Sequence, residues 1–299
     1  MKQKNNRIKW FTAFLVVIGF SYSCHSYAMR DARAYGAYIE DSEWKTTGSE
    51  LECGLSQQIP EFGEGIFLQK AGENLEFRLK SYSRILKPGE ASLIAQGPAW
   101  KPNTQARTIT TLEVTDHTTP VQIGTPYSSI MLAQLNQGMM PTISALSDAS
   151  ITAGEQVKVV MSAVNFQQAY RDYVGCLSQL LPVNYKQIAR SAIFFDTNDT
   201  SLSEGIQQQL DLIVRYVKAD KKIQRIYIDG HTDDVGDKRN NVNLSKVRAA
   251  AVENYFKQAG VDNKLMMLRY HGDKYPALKN TSDENRARNR RVTIRLERK

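Results

Sequence analysis

The twenty residues from Gly230 to Ala249, GHTDDVGDKRNNVNLSKVRA, concentrate the side chains most able to do chemistry. They set His231, Asp233, Asp234 and Asp237 beside Lys238, Arg239, Lys246 and Arg248. Three chemistries are open to such a set. A metal site needs more ligands than His231, Asp233 and Asp234 supply, because no second His, Cys or Glu stands at ligand spacing. Nearby, DTNDTS (196–201) starts like a calcium loop but has Ser201 at its sixth position and Gln207 at its twelfth, where glycine and an acid are required. A strand-end histidine hydrogen-bonded within its turn is the plainer reading of His231. Catalysis fares no better. The chain has no GxSxG, no HExxH and no Cys/His pair with an orienting acid. Asp233 and Asp234 are adjacent, so they point apart, and the basic run beside them keeps both ionised.

The third chemistry is a grip on a charged ligand. Asp233 follows a strand, and Arg248 lies on the next helix. A guanidinium forks onto a carboxylate, and a carboxylate receives an ammonium. Together they suit a zwitterionic α-amino acid group, with Asn241, Asn243 and the helix N-terminal amides completing the shell. An ordinary Asp–Arg salt bridge fits the same spacing and stays open. No metal and no cofactor is expected.

The elements that must position these residues are regular beyond Pro182. SAIFF (191–195), IQRIYID (223–229), LMMLRYHG (265–272) and RVTIRLE (291–297) read as strands, the last alternating Val292, Ile294 and Leu296 with a wet face. Ser201 and Glu204 form a capping box ahead of Leu202, Ile206, Leu210, Ile213 and Val217 at helical spacing. LSKVRAAAVENYFKQAG (244–260) is a helix stopped by Gly260. The order is β-α-β-α-β-β, one sheet with helices on one face.

The first half is mostly β. LEFRL (75–79), ASLIAQ (91–96), RTITTLEV (107–114) and EQVKVVMSA (155–163) are short branched runs separated by Gly/Pro/Asn clusters. PYSSIMLAQLNQG and FQQAYRDYVGCLSQLL (166–181) read as two short helices. The strands are too short for an outer-membrane barrel, which needs about 9–11 residues each, and Asp41 to Glu64 is too polar. The fold class is therefore α+β, a mostly-β N-terminal domain plus the C-terminal β-α-β-α-β-β sandwich.

The N-terminus predicts export. Lys2, Lys4, Arg7 and Lys9 precede an apolar run from Trp10 to Phe20, and Ser26-Tyr27-Ala28 offers a cleavage site. The expected divisions are a signal peptide over 1–28, a β-rich domain over 29–182 and a second domain over 183–299. Cys24 leaves with the signal, so Cys53 and Cys176 remain and are predicted to pair in an oxidising compartment; two buried free thiols are the alternative. Residues 29–182 hold 12 basic against 16 acidic residues and residues 183–299 hold 23 against 15, so the halves suit different partners. The basic half wants an anionic polymer or surface, and nucleic acid is not expected outside the cytoplasm.

GHTDD-VG, Asn241, NLSxxRA (243–249), Gly272 with Pro276, and Asn280 followed by RARNRRV (286–292) resemble the OmpA-like peptidoglycan-binding domain in order and spacing. The resemblance runs from Ala192 to Lys299. It implies that Asp233 and Arg248 clamp diaminopimelate of the wall peptide, helped by Thr232, Asn241 and Leu244; Arg286, Arg290 and Arg291 match its terminal signature and read as chiefly structural, adding positive field near the site. Asp237-Lys238-Arg239 departs from the small or polar residues common there, which leaves the outer rim open. The signal, the β-rich first domain, the two mature cysteines and this module together resemble the MotY family of flagellar motor proteins. That resemblance implies a periplasmic, non-enzymatic component of a sodium-driven polar flagellum, beneath the outer membrane at the basal body. Its implied partners are peptidoglycan, a MotX-like ring partner, the basal-body rings and the stator complex. A general linker between outer membrane and wall, and a wall hydrolase, are the competing readings.

Overall fold

A computed structural model describes residues 32–98, 100–101, 104–148 and 154–299. The expected signal peptide and its cleavage site lie outside the described residues. Residues 32–299 form one compact unit, and its buried apolar side chains fall into two cores.

The first core lies between two five-stranded sheets. One has the order β1 (Arg33–Tyr35), β10 (Gln156–Val160), β9 (Met140–Leu146), β6 (Gly89–Gln96), β7 (Arg107–Val114). The other runs β2 (Trp44–Gly48), β3 (Glu52–Ile59), β4 (Gly63–Lys70), β5 (Glu76–Ser81), β8 (Val121–Gly124). Alternate residues such as Phe77 and Leu79 on β5, and Val157 and Val159 on β10, enter this core. Two helices close it: α1 (Tyr127–Asn136) through Met131 and Leu135, and α2 (Phe166–Leu177) through Phe166, Ala169 and Tyr173. The segment judged too polar for barrel strands forms β2 and β3. Its polarity is absorbed inside: buried Gln57 donates to Ser42 Oγ at 2.9 Å and to Ser162 O at 3.1 Å, and accepts from Ser162 N at 2.8 Å. Cys53 on β3 and Cys176 on α2 form the expected disulfide, Cα atoms 6.0 Å apart. The second helix is shorter than its apolar spacing suggested. It ends at Leu177, and Leu180 packs against both cores.

The second core lies under a four-stranded sheet of order β11 (Arg190–Phe194), β14 (Arg291–Arg298), β12 (Ile223–Gly230), β13 (Met266–Tyr270). Short α3 (Tyr185–Ile188) leads into it. The helices α4 (Glu204–Ala219) and α5 (Lys238–Gln258) cover one face, burying Leu210, Ile213 and Val217 from one and Ala249, Val252 and Phe256 from the other. On the opposite, wet face, the guanidiniums of Arg269 and Arg295 lie 4.7 and 4.2 Å from the Tyr227 ring. The observed order adds α6 (Asp283–Asn289), which the sequence reading lacks. Among the described residues, no helix is long and apolar enough to cross a membrane.

A narrow seam joins the halves. Asn184 Nδ2 donates to Gly72 O at 3.5 Å, and the Arg215 guanidinium lies 3.7 Å from the Glu50 carboxylate. Gly72 has a φ of +64°, and a Cβ there would stand 2.5 Å from Asn184 N, so the seam requires glycine. Leu51, Ala71 and Leu181 pack into the second core although they precede Pro182.

Candidate functional site

The site gathers where β11 and β12 end and β14 begins. Gly230 ends β12 against α5, so closely that a Cβ would fall 2.1 Å from Ser245 O. Beyond it the chain is held on both sides: His231 N donates to Arg291 O at 2.9 Å and Thr232 N to Gly272 O at 2.9 Å. Asp237 then caps α5, accepting from the amides of Arg239 and Asn240. This helix begins six residues earlier than its sequence pattern suggested, so Asp237-Lys238-Arg239 is a cap and first turn rather than a loose rim. Arg248 consequently lies in the third turn. The N-terminal amides expected to complete a ligand shell are engaged by Asp237 instead.

Asn241, Ser245 and Arg248 are buried on one face of α5, and Leu244 beside them is half-buried. Asn241 Nδ2 donates to Asp233 O at 3.4 Å and so ties the loop to the helix. Asn243 is exposed on another face and does not join the shell.

Arg248 is fully buried, with the guanidinium 5.1 Å from the Phe195 ring centroid. Its Nε donates to Asp199 O and its Nη2 to Asp196 O, both at 2.7 Å. The DTNDTS loop therefore does bind a cation, with its carbonyl oxygens, and the cation is a side chain of the same chain. Asn198 makes this possible by taking φ 59°, a left-handed conformation that Asn tolerates. Ser201 serves the same loop: its amide and hydroxyl donate to the Asp199 carboxylate at 2.8 and 2.9 Å. The expected capping box at Ser201 does not form. The residue at the cap of α4 is Ser203, without a side-chain bond.

Asp233 is 7% exposed. One carboxylate oxygen accepts from Val235 N at 3.3 Å and the other from Arg290 Nη1 at 2.9 Å. The direct partner of Asp233 is thus Arg290, and no Asp233–Arg248 bridge is present among the described residues. Arg290 also donates through Nε to Phe195 O at 3.2 Å, which fixes its guanidinium between the strand end and the carboxylate. Reading the three terminal arginines as chiefly structural holds for Arg286 and Arg291, which donate to Asn280 O and Tyr275 O. Arg290 brings its positive charge into the site itself, onto Asp233. The missed signal was Asn289, fully buried, whose amide grips Ala277 N, Leu278 N and Leu278 O. That lock carries Arg290 into the site.

Electrostatics and hydrogen bonding leave the site incomplete. Burial, and then the Arg290 charge, lower Arg248 to about 10, with Asp233 and Asp199 opposing. Its Nη1 has no partner among the described residues, and neither has the buried Thr232 hydroxyl. A buried guanidinium N–H without an acceptor is uncommon, because desolvating it alone is unfavourable. The arrangement can take a carboxylate at Arg248 Nη1 and a hydrogen-bonding group at Thr232, and it can exchange Arg290 for an ammonium at Asp233.

His231 has a different character. It stacks on His271, ring centroids 5.0 Å apart, and its Nδ1 is buried without a partner among the described residues. Burial, and then the Arg291 charge, push it down to about 4 from 6.5. The folded state holds His231 neutral while the unfolded state protonates near 6.5, so the unfolded state binds more protons between these values. Its contribution to stability is therefore full above about pH 6.5 and is lost as pH falls toward 4, by at most about 3 kcal/mol. His231→Phe should flatten the denaturation midpoint between pH 6.5 and 4 relative to the parent. Equal slopes in both proteins would contradict this assignment. Among the described residues no cluster of three His, Cys, Asp or Glu could hold a metal. A broader concavity, ≈ 580 Å³, is lined by Tyr82, Arg84, Asp116 and His117 in the first half, but its charged groups Arg84 and Asp116 pair with each other.

With this geometry in hand, the relatives of the chain are informative. Residues 194–290 match the OmpA family. Residues 35–182 match the MotY N-terminal domain. The chain is 28% identical over 291 residues to the sodium-type flagellar protein MotY of Vibrio parahaemolyticus, spanning 96% of this chain and 98% of that one. The chain is thus a MotY homologue: a MotY N-terminal domain joined to an OmpA-family domain. A peptidoglycan-associated lipoprotein of Pseudomonas putida is 26% identical over 163 residues, covering 54% of this chain and 94% of its own. The C-terminal domain of Helicobacter pylori MotB aligns with 36% of this chain and 85% of its own length, at 23% identity and a TM-score of 0.34. The first two of these relatives bear the names of flagellar and envelope proteins.

Proposed function

We propose that the chain is an exported, periplasmic anchor of a flagellar motor. Residues 183–299 hold peptidoglycan, and residues 29–182 hold motor partners. The observation that carries the wall reading is Arg248, wholly buried yet with Nη1 unmatched. The zwitterionic end of diaminopimelate supplies what the site lacks. Its carboxylate accepts from Arg248 Nη1, and its ammonium takes the place of Arg290 at Asp233. Thr232 Oγ1 bonds the same group, Asn241 holds the loop in register, and Leu244 borders the methylene chain. No bond is made or broken, so the protein acts by holding.

The full-length relationship to a sodium-type MotY supports the motor half of the reading. The partners it implies are a MotX-like ring protein, the basal-body rings and the stator complex of a sodium-driven polar flagellum. A deletion strain should assemble normal filaments and fail to swim. Normal swimming with leaky, blebbing outer membranes would instead indicate a general wall linker, and release of muropeptides from sacculi by the purified protein would indicate a hydrolase.

A further inference from the structure

The C-terminal sheet carries its helices on one face, and the other face is wet. Residues paired across strands point to the same side, so the registers set the wet-face side chains in rows. Arg190 of β11, Arg295 of β14, Tyr227 of β12 and Met267 of β13 form one row. Ala192, Thr293, Asp229 and Arg269 form the next, and beyond it Phe194 stands across from Arg291. At the far end Arg225 stands across from Glu297. The register shift on β12 falls before Arg225, so all of these residues stay in phase. Their contacts agree with the rows. Tyr227 lies between the guanidiniums of Arg269 and Arg295, and its hydroxyl donates to Glu297 at 3.1 Å.

This face is basic beyond what the fold uses. Five arginines, Arg190, Arg225, Arg269, Arg291 and Arg295, share it with two acids, Asp229 and Glu297. Asp229 is already engaged by Arg269 and His271. Arg190, Arg225 and Arg295 are exposed and have no ion pair among the described residues. Arg190 stands directly across from Arg295, a like-charge pair that destabilises the sheet unless an anion lies over it. We propose that this face is a second wall contact, which docks carboxylates of stem peptides neighbouring the one in the clamp. The proposal rests on the clamp reading above. Continuity favours the wall as the occupant: Arg290 bonds Asp233 in the clamp, and the next residue, Arg291, opens β14 on this face. A wall held by the clamp therefore lies at the same end of the sheet. Its stem peptides present carboxylates repeatedly, and guanidiniums fork onto carboxylates. A membrane surface would call for protruding apolar anchors, whereas the rings of Tyr227 and Phe194 meet guanidiniums, with Arg288 5.3 Å from Phe194. Each exposed pair is weak alone, so the face adds avidity to a contact whose selectivity lies in the clamp.

Co-sedimentation with purified sacculi, set beside calorimetry with a soluble diaminopimelate tripeptide, separates the two contacts in the mature chain. Arg190→Gln, Arg225→Gln and Arg295→Gln combined should lower sacculus affinity about 10-fold and leave tripeptide affinity within about two-fold. Raising salt from about 0.05 to 0.5 M should weaken the parent on sacculi more than the glutamine variant. Lysine at the same three positions keeps the charge and should restore most of the lost affinity, with circular dichroism confirming that each variant is folded. Undiminished sacculus binding by the glutamine variant would overturn the proposal, as would an equal loss for sacculi and tripeptide. So would parent binding to phosphatidylglycerol vesicles that the glutamine changes abolish while sacculus binding persists, which would assign the face to lipid headgroups. A parent protein that binds neither sacculi nor tripeptide would instead defeat the wall reading itself, and this contact with it.

Discussion

Arg248→Leu should release the protein from purified sacculi while leaving it folded. One partner of a buried, hydrogen-bonded charge pair is worth about 2–5 kcal/mol of binding, so co-sedimentation affinity should fall at least about 30-fold. Stability should move less, because two effects oppose each other. The shift of Arg248 from 12.5 to about 10 corresponds to about 3 kcal/mol against the charged form, and leucine removes that penalty. Leucine also removes the two 2.7 Å bonds to Asp196 O and Asp199 O, each worth about 1.5–3 kcal/mol as a bond from a charged donor. The net change should be a loss of no more than about 3 kcal/mol. Arg248→Lys keeps the charge but loses the planar fork and should bind weakly. If Arg248→Leu lost binding only in proportion to a large loss of folded protein, Arg248 would be a structural residue and not a jaw of the clamp.

The second large effect concerns the first core. Cys53→Ala with Cys176→Ala removes a bridge that spans 123 positions. A loop of that size stabilises by about 3–5 kcal/mol in the chain-entropy account. At about 2–4 °C per kcal/mol for a chain of this length, the melting midpoint should drop by roughly 6–20 °C. Both cysteines belong to the first core, on β3 and α2, so binding to sacculi below the new midpoint should be unchanged. The parent protein should also change mobility on a gel when reductant is added. An identical midpoint and mobility with and without reductant would mean that the thiols are not joined.

Much of the second half was legible in the sequence because its signals are local. Val292, Ile294 and Leu296 alternate and β14 follows. Leu210, Ile213 and Val217 recur at helical spacing and α4 buries them. What the sequence concealed depends on contacts between distant segments. The polar run containing Gln57 reads as too polar for a barrel strand, and the bonds of Gln57 to Ser42 and to Ser162, 105 positions away, let it sit in a buried strand. The start of α5 was hidden because Lys238, Arg239, Asn240 and Asn241 carry no apolar period, although Asp237 has the chemistry of a cap. Ser201 and Glu204 have capping-box spacing, but Asp199 competes for the hydroxyl and wins.

The candidate site was legible as residue types and not as a network. Asp233 and Arg248 were singled out as a pair, and both are buried at the same strand ends. The spacing argument could not show that Arg290 occupies Asp233, or that the calcium-like loop turns two carbonyls onto Arg248. Both facts alter the chemistry. Asp233 is a charge already answered, so in the proposed clamp a ligand ammonium competes with Arg290, whereas Arg248 Nη1 is buried with no partner to displace. Binding should therefore depend more steeply on the ligand carboxylate than on its amine.

Calorimetric titration of the mature chain with a soluble wall tripeptide ending in diaminopimelate tests the clamp most directly, with the same tripeptide carrying lysine in its place as the comparison. The two differ by the side-chain carboxylate that Arg248 is held to receive. The diaminopimelate peptide should bind and the lysine peptide should bind at least about 30-fold more weakly. Equal affinities for the two, or no binding of the diaminopimelate peptide by a protein that still sediments with sacculi, would contradict the clamp.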